Sequence, residues 1–433
     1  MKIRTNIILI LVLFALPHIT VYAQQNRNVI WVHGLGDNSL AWKHYADIFA
    51  AERRIYSHRE SFKTSSGLDS AAIHLKAFVT STAPTNLGIG HSMGGLMIRE
   101  VDRTTSANDK RFGGFITVAS PNYGAPVSDN ILKGAQDAMI ETAVKRLAAG
   151  FIAELGGALG EVIWKFIFAD WTVKKITDAL RKNTAMMDTT ANKDLKEGSP
   201  AMDALNNFNS TAHKIAIIAE ETSPVHWRMA GSAVFGAGTS VLAGDEEMVW
   251  VANQTRKIYN DKVKQHEVVG FIALFLNPPA IAHHNILKNA WKEGRDWLDQ
   301  SETIWCSLIK SSKTYYSTVI WEEWVPCASG GVFPAIRYPH QPAQPLLCDY
   351  WISHETICGI TVNYKSDGLL PTYAQELKDC PAGNRYVIDH ANHMEVLNMS
   401  YSRKNGVLND GTYKTFEAIF NRGDWFNTEK KTQ

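Results

Sequence analysis

Along the first half of the chain, short apolar runs alternate with stretches whose apolar positions recur every three or four residues. Residues 28–32, 115–119 and 213–219 are runs of the first kind and predict strands covered on both faces. Shorter runs at 54–57 and 385–389 predict two more strands. Residues 41–52 and 67–80 carry helical spacing, and Asp37, Asn38 and Ser39 offer N-caps for the first of these helices. Strands alternating with helices predict a parallel sheet wrapped on both sides. In such sheets ligands sit at the carboxyl ends of the strands.

One junction stands apart. Residues 86–89 form an apolar run, residues 96–101 alternate at helical spacing, and Gly90-His91-Ser92-Met93-Gly94-Gly95 joins them. Strand, tight turn, helix is the setting in which G-x-S-x-G carries meaning. The glycines admit a turn sharp enough to lift the Ser92 hydroxyl above the sheet. There it meets a helix N-terminus, whose dipole favours developing negative charge. Taken alone, the pattern also fits a glycine-rich turn with an incidental serine.

Beyond the fourth strand signal the pattern becomes irregular at two places. From 137 to 183, Ile140, Val144, Leu147, Phe151, Leu155 and Leu159 recur at helical spacing and are interrupted by Gly150, Gly156, Gly157 and Gly160. This predicts amphipathic helices over about 130–190, either packed on the core or forming a movable cap above Ser92. A turn and short helix follow at 199–206. A long departure then runs from about 221 to 362, rich in tryptophan and tyrosine and poor in period. It reads as a loop-rich insertion into the sheet domain, with runs such as Tyr338-Pro339-His340-Gln341-Pro342.

Composition narrows the class. With 433 residues, 45% hydrophobic and 20% charged, the chain is long enough for one large domain or two smaller ones. A formal net charge of +1 argues against nucleic acid or a polyanionic partner. Lys2 and Arg4, the apolar run 7–16, and small residues at Val21 and Ala23 predict a signal peptide over 1–23, with an uncleaved anchor or an unusually apolar first strand as the alternatives. Export leaves residues 24–433 as a secreted or periplasmic protein and permits disulfides. Cys306, Cys327, Cys348, Cys358 and Cys380 all lie in the last third. Their odd number leaves at least one thiol outside an internal pair, and one or two bridges are expected in the insertion. No C-x-x-C spacing suggests a zinc ribbon.

A serine hydroxyl is a weak nucleophile near neutral pH and needs a base, itself oriented by a third group. In a hydrolase built on a strand-to-helix elbow the chain order is serine, acid, histidine. Ser92, Asp367 and His393 follow that order, Asp367 in a turn after the insertion and His393 in a loop after the last strand. Rivals remain: His390 for the base, and Asp389, Glu220 or Glu221 for the acid. The backbone N–H groups of Leu35, in His33-Gly34-Leu35-Gly36, and of Met93 are the expected oxyanion donors.

These motifs together resemble the α/β-hydrolases, and among them the bacterial and PGAP-type lipases. Val32-His33-Gly34-Leu35-Gly36 resembles their oxyanion loop and Gly90-His91-Ser92-Met93-Gly94-Gly95 their elbow. Ala119-Ser120-Pro121-Asn122-Tyr123-Gly124-Ala125 resembles the loop after the next strand. Ser366-Asp367-Gly368-Leu369-Leu370-Pro371 resembles the acid motif, and Asn392-His393-Met394-Glu395-Val396 the histidine motif. The resemblance implies an α/β-hydrolase fold, a mostly parallel sheet flanked by helices, to which the residue pattern adds a helical cap and a large disulfide-containing insertion. It implies a serine hydrolase that cleaves carboxylic esters of small molecules or lipids, working at a lipid interface and without a cofactor. Some relatives hold a structural calcium near the histidine loop. Glu395 stands where such a ligand would lie, but no dense carboxylate cluster accompanies it, and no metal is expected. Two other readings keep the scaffold: an acyltransferase or deacylase acting on cell-envelope lipids, and a non-catalytic binding protein. The insertion has no counterpart in the resemblance and leaves the substrate open.

Overall fold

The computed structural model describes residues 27–79, 86–132, 146, 190–221, 227–228, 245–310, 312–325, 336–337, 350–397, 403–404, 407–408, 410–422 and 431. The expected signal peptide and most of the expected cap lie outside them.

Six parallel strands form the main sheet, in the order β2-β1-β3-β4-β5-β9. They are β1 (Arg27–Val32), β2 (Ile55–Arg59), β3 (Asn86–His91), β4 (Gly114–Val118), β5 (His213–Glu220) and, late in the chain, β9 (Arg385–Asp389). All six fall on the apolar runs that predicted them. Helices α1 (Lys43–Glu52), α2 (Leu68–Phe78) and α3 (Met93–Thr104) connect the first four strands. Short helices α4 (Pro126–Leu132), α5 (Thr190–Leu195) and α6 (Pro200–Asn207) follow β4. Ser199 caps α6 by accepting from the Met202 N–H, with Pro200 in the first helical position.

Side chains of successive strand residues part to opposite faces, and this builds two cores. Ile30 and Val32 join Leu68, Leu75, Leu96 and Phe115 on one face. Val29 and Trp31 join Trp42, Phe49, Ile116 and Ile217 on the other. The C-terminal helix Gly411–Asn421 closes the second face with Phe416 and Phe420. The chain order reverses direction across the sheet between β1 and β3, and Val32 is in register with Gly90. The ends of β1 and β3 therefore open side by side at the crevice where ligands bind in open α/β sheets.

The segment expected to be loop-rich is largely regular. Helices α7 (Asp245–Leu276) and α8 (Pro278–Leu308) form an antiparallel hairpin turning at Asn277, with Pro278 starting the second helix. Then β6 (Ser312–Val325) pairs antiparallel with β8 (Tyr350–Asn363), and the two-residue β7 (Ile336–Arg337) flanks it. The hairpin has its own small core of Tyr259, Val263, Trp291, Trp297 and Leu298. The aromatics that masked the period are the residues that pack the two helices together. Cys306 and Cys380 form no disulfide, so the bridges expected in the insertion are left to the other three cysteines. Cys327, Cys348 and the side chain of Cys358 lie outside the described residues.

Candidate active site

Ser92 ends β3 and begins α3 with φ 52° and ψ −128°. A non-glycine residue in that region costs on the order of 1–3 kcal/mol and persists only where the surroundings enforce it. Here they do. The Ser92 N–H donates to the Val118 carbonyl at 3.0 Å, which ties the turn to β4. A Cβ at Gly90 would lie 2.4 Å from the Gly94 carbonyl carbon, so the turn closes only without a side chain there. Ser92 itself is half-buried.

The loop after β1 is held by a neutral histidine. His33 is buried; its Nε2 accepts from the Phe62 N–H at 2.8 Å, so its Nδ1 carries the proton and donates to the Gly34 carbonyl at 2.8 Å. Burial pushes its pKa below the ordinary imidazole value. The Gly36 N–H donates to Thr64 Oγ1 at 2.9 Å. Gly34 presses against the elbow: a Cβ there would stand 2.9 Å from the Ser92 Cβ. The Leu35 and Met93 amides thus belong to two segments in van der Waals contact.

The acid and the base meet. His393 Nδ1 lies 2.7 Å from Asp367 Oδ2, both side chains being buried. The second carboxylate oxygen, Oδ1, accepts from the Leu369 and Leu370 N–H groups at 2.9 and 2.7 Å. The two segments are also joined through the backbone, the His393 N–H donating to the Asp367 carbonyl at 2.7 Å. The acid turn is closed by a bridge between Ser366 and Pro371. It is tethered to β5 by the buried Gln375, whose amide joins Ala219 N–H and carbonyl to the Leu370 carbonyl.

His91 joins this pair to the elbow. Its Nε2 donates to the His393 carbonyl at 2.8 Å, and the two imidazole centroids are 4.7 Å apart. Full burial, with His393 and His33 nearby, drives its pKa well below the ordinary value and keeps it neutral. His393 therefore packs on the residue next to Ser92. The motif's variable position carried no signal for this role in the sequence; only the fold reveals it.

The rivals are placed elsewhere. Glu220 pairs with Lys365 at 2.5 Å, and Glu221 with the buried Arg228 at 2.7 Å. Asp389 is exposed at the end of the edge strand, and His390 is a half-buried turn residue with φ 58°. Glu395 faces no other carboxylate in a metal-binding group. Its Oε2 accepts from the Asn392 N–H at 3.1 Å, and its Oε1 lies 4.0 Å from the Arg228 guanidinium. Asn392 Oδ1 in turn accepts from the Met394 and Glu395 N–H groups. Among the described residues no cluster of three or more His, Cys, Asp or Glu is arranged to hold a metal.

Residues 29–249, half of the chain, match the sequence profile of the alpha/beta hydrolase family. The chain belongs to that family. No curated protein matches it. Among solved structures, lipase 1 from Pelosinus fermentans is 12% identical, covers 92% of this chain and 99% of its own, and has a TM-score of 0.37. Phospholipase PlaB from Legionella pneumophila is 15% identical over 48% of this chain and 41% of its own, TM-score 0.27. A pyrethroid hydrolase from Sphingobium faniae JZ-2 is 14% identical over 24% and 45%, TM-score 0.21. This chain spans less than half the length of the last two.

Proposed function

We propose that this alpha/beta hydrolase cleaves carboxylic esters, lipids among them, through Ser92, His393 and Asp367, and that it is exported. Ser92 Oγ attacks the ester carbonyl while His393 Nε2 takes its proton. The Leu35 and Met93 amides receive the developing oxyanion. His393 then returns the proton to the leaving alcohol, and water releases the acyl group by the same route. Asp367 holds the tautomer with the proton on Nδ1, which leaves the Nε2 lone pair as the base, and it stabilises the imidazolium. No cofactor takes part.

The observation that carries this reading is the buried 2.7 Å contact between His393 and Asp367, seated on the residue preceding a strained serine. Strain of that kind is maintained where it serves a site. The test is labelling by a fluorophosphonate, together with turnover of p-nitrophenyl esters of graded acyl length. Wild type should label and turn over, and Ser92→Ala should do neither. A folded wild-type protein that neither labels nor cleaves any ester would leave only the binding-scaffold reading. Rising turnover with acyl length would support lipids as substrates, and a sharp preference for acetate would remove them.

A further inference from the structure

Among the described residues, the largest exposed apolar patch lies far along the chain from the serine, at the turn of the α7–α8 hairpin. Val268 is 59% exposed, Phe271 65%, Leu276 79% and, on the returning helix, Ile286 63%. Val269, Ile272 and Leu274 are exposed beside them. Soluble surfaces scatter such side chains singly; a contiguous set marks an interaction site. From Val268 to Leu287 there is no Asp, Glu, Lys or Arg.

We propose that this tip inserts into one leaflet of a lipid bilayer and anchors the enzyme at its surface. Three observations choose lipid over a protein groove. At about 100° per residue, positions 268, 269, 271, 272, 274 and 276 spread over more than half of the helix circumference. A protein groove takes one stripe of a helix, whereas acyl chains surround it. The stretch of α7 from Val268 to Leu276 is about 13 Å long at ~1.5 Å per residue, close to half of a hydrocarbon core of roughly 30 Å. Among the described residues no helix is long and apolar enough to cross a membrane, so the tip suits entry into a single leaflet. Finally, a polar collar follows the apolar tip on both helices: Lys262, Lys264 and Lys288, with His283 and His284, outnumbering the acids Asp261 and Glu267. Lysines at that level suit lipid phosphates. The proposal concerns where the enzyme sits and does not depend on its substrate.

The test uses the full chain in flotation with vesicles of phosphatidylcholine alone and of phosphatidylcholine with phosphatidylglycerol, alongside sedimentation velocity. Phe271→Ser/Leu276→Ser should lower the apparent partition at least about tenfold on both vesicles. Lys262→Glu/Lys264→Glu should lower it chiefly on the phosphatidylglycerol vesicles. Both variants should keep wild-type unfolding curves and wild-type turnover of p-nitrophenyl acetate. Residues 7–16 are the same in every variant, so flotation retained by the serine variant places the contact elsewhere and overturns the proposal. A wild type that does not float, or a wild-type dimer that the serine substitutions dissociate without any effect on vesicles, overturns it equally; the latter would assign the tip to a second copy. Because the readout is binding, an inactive enzyme leaves the result interpretable.

Discussion

The rim of the main sheet and the tip of the helical hairpin treat side chains in opposite ways. At the rim, polar groups are buried and matched: His33, His91, His393 and Asp367 each meet a defined donor or acceptor within 3 Å. At the tip, large apolar groups are left more than a third exposed. A buried polar group is stabilising only while its partner remains, so the rim is intolerant of small changes. An exposed apolar group contributes little to folding, so the tip is tolerant, and its residues are available to a surface outside the protein.

Substitutions can break this contrast, and the largest effect is expected at the acid. Asp367→Asn keeps the shape but lets His393 take the wrong tautomer. Ester turnover should fall on the order of 10³–10⁴-fold with an unchanged fold by circular dichroism. Arg228→Met comes next. It removes the cation facing the buried Glu221 and Glu395 carboxylates and should cost about 3–5 kcal/mol in urea denaturation. Adding Glu221→Gln should recover part of that loss. Gly34→Ala places a Cβ within 2.9 Å of the Ser92 Cβ. Pushing the two segments apart should cost about 1–3 kcal/mol, read as a roughly 5- to 150-fold drop in turnover.

A smaller effect comes from pH. Burial lowers the folded pKa of His91 and His33, so as pH falls below about 6.5 the unfolded chain binds protons that the fold refuses. Stability present at neutral pH is then lost. The urea midpoint should decrease from pH 7 to pH 5, and less steeply in His91→Gln. Smallest of all, serine at Phe271 and Leu276 should alter folding stability by less than about 0.5 kcal/mol, which is the tolerant side of the contrast.

Much of the rim was legible in the sequence because its chemistry is local. A strand run, a glycine-framed serine and a helix are contiguous, and so are Asp367 with its turn and His393 with its loop. Their meeting in space follows from chain order in a parallel sheet. The supports were not legible. His91 and Gln375 act through contacts with residues more than 150 positions away, and nothing in their neighbours announces it. The hairpin was misread for another reason. Tyr259, Val263, Trp291, Trp297 and Leu298 do recur at helical spacing. Large aromatics, histidines and the Asn277-Pro278-Pro279 break obscured that recurrence, and an aromatic-rich stretch resembles loop more than bundle.

One contact gives the hairpin a second significance. The Trp305 indole N–H, near the end of α8, donates to the Gly368 carbonyl at 2.7 Å, one residue past the acid. Ile309 follows it into the core beneath the sheet. Anyone seeking a pared-down enzyme by trimming this appendage must therefore cut above that tryptophan: the outer turns can be shortened, but the stump is a brace for the carboxylate.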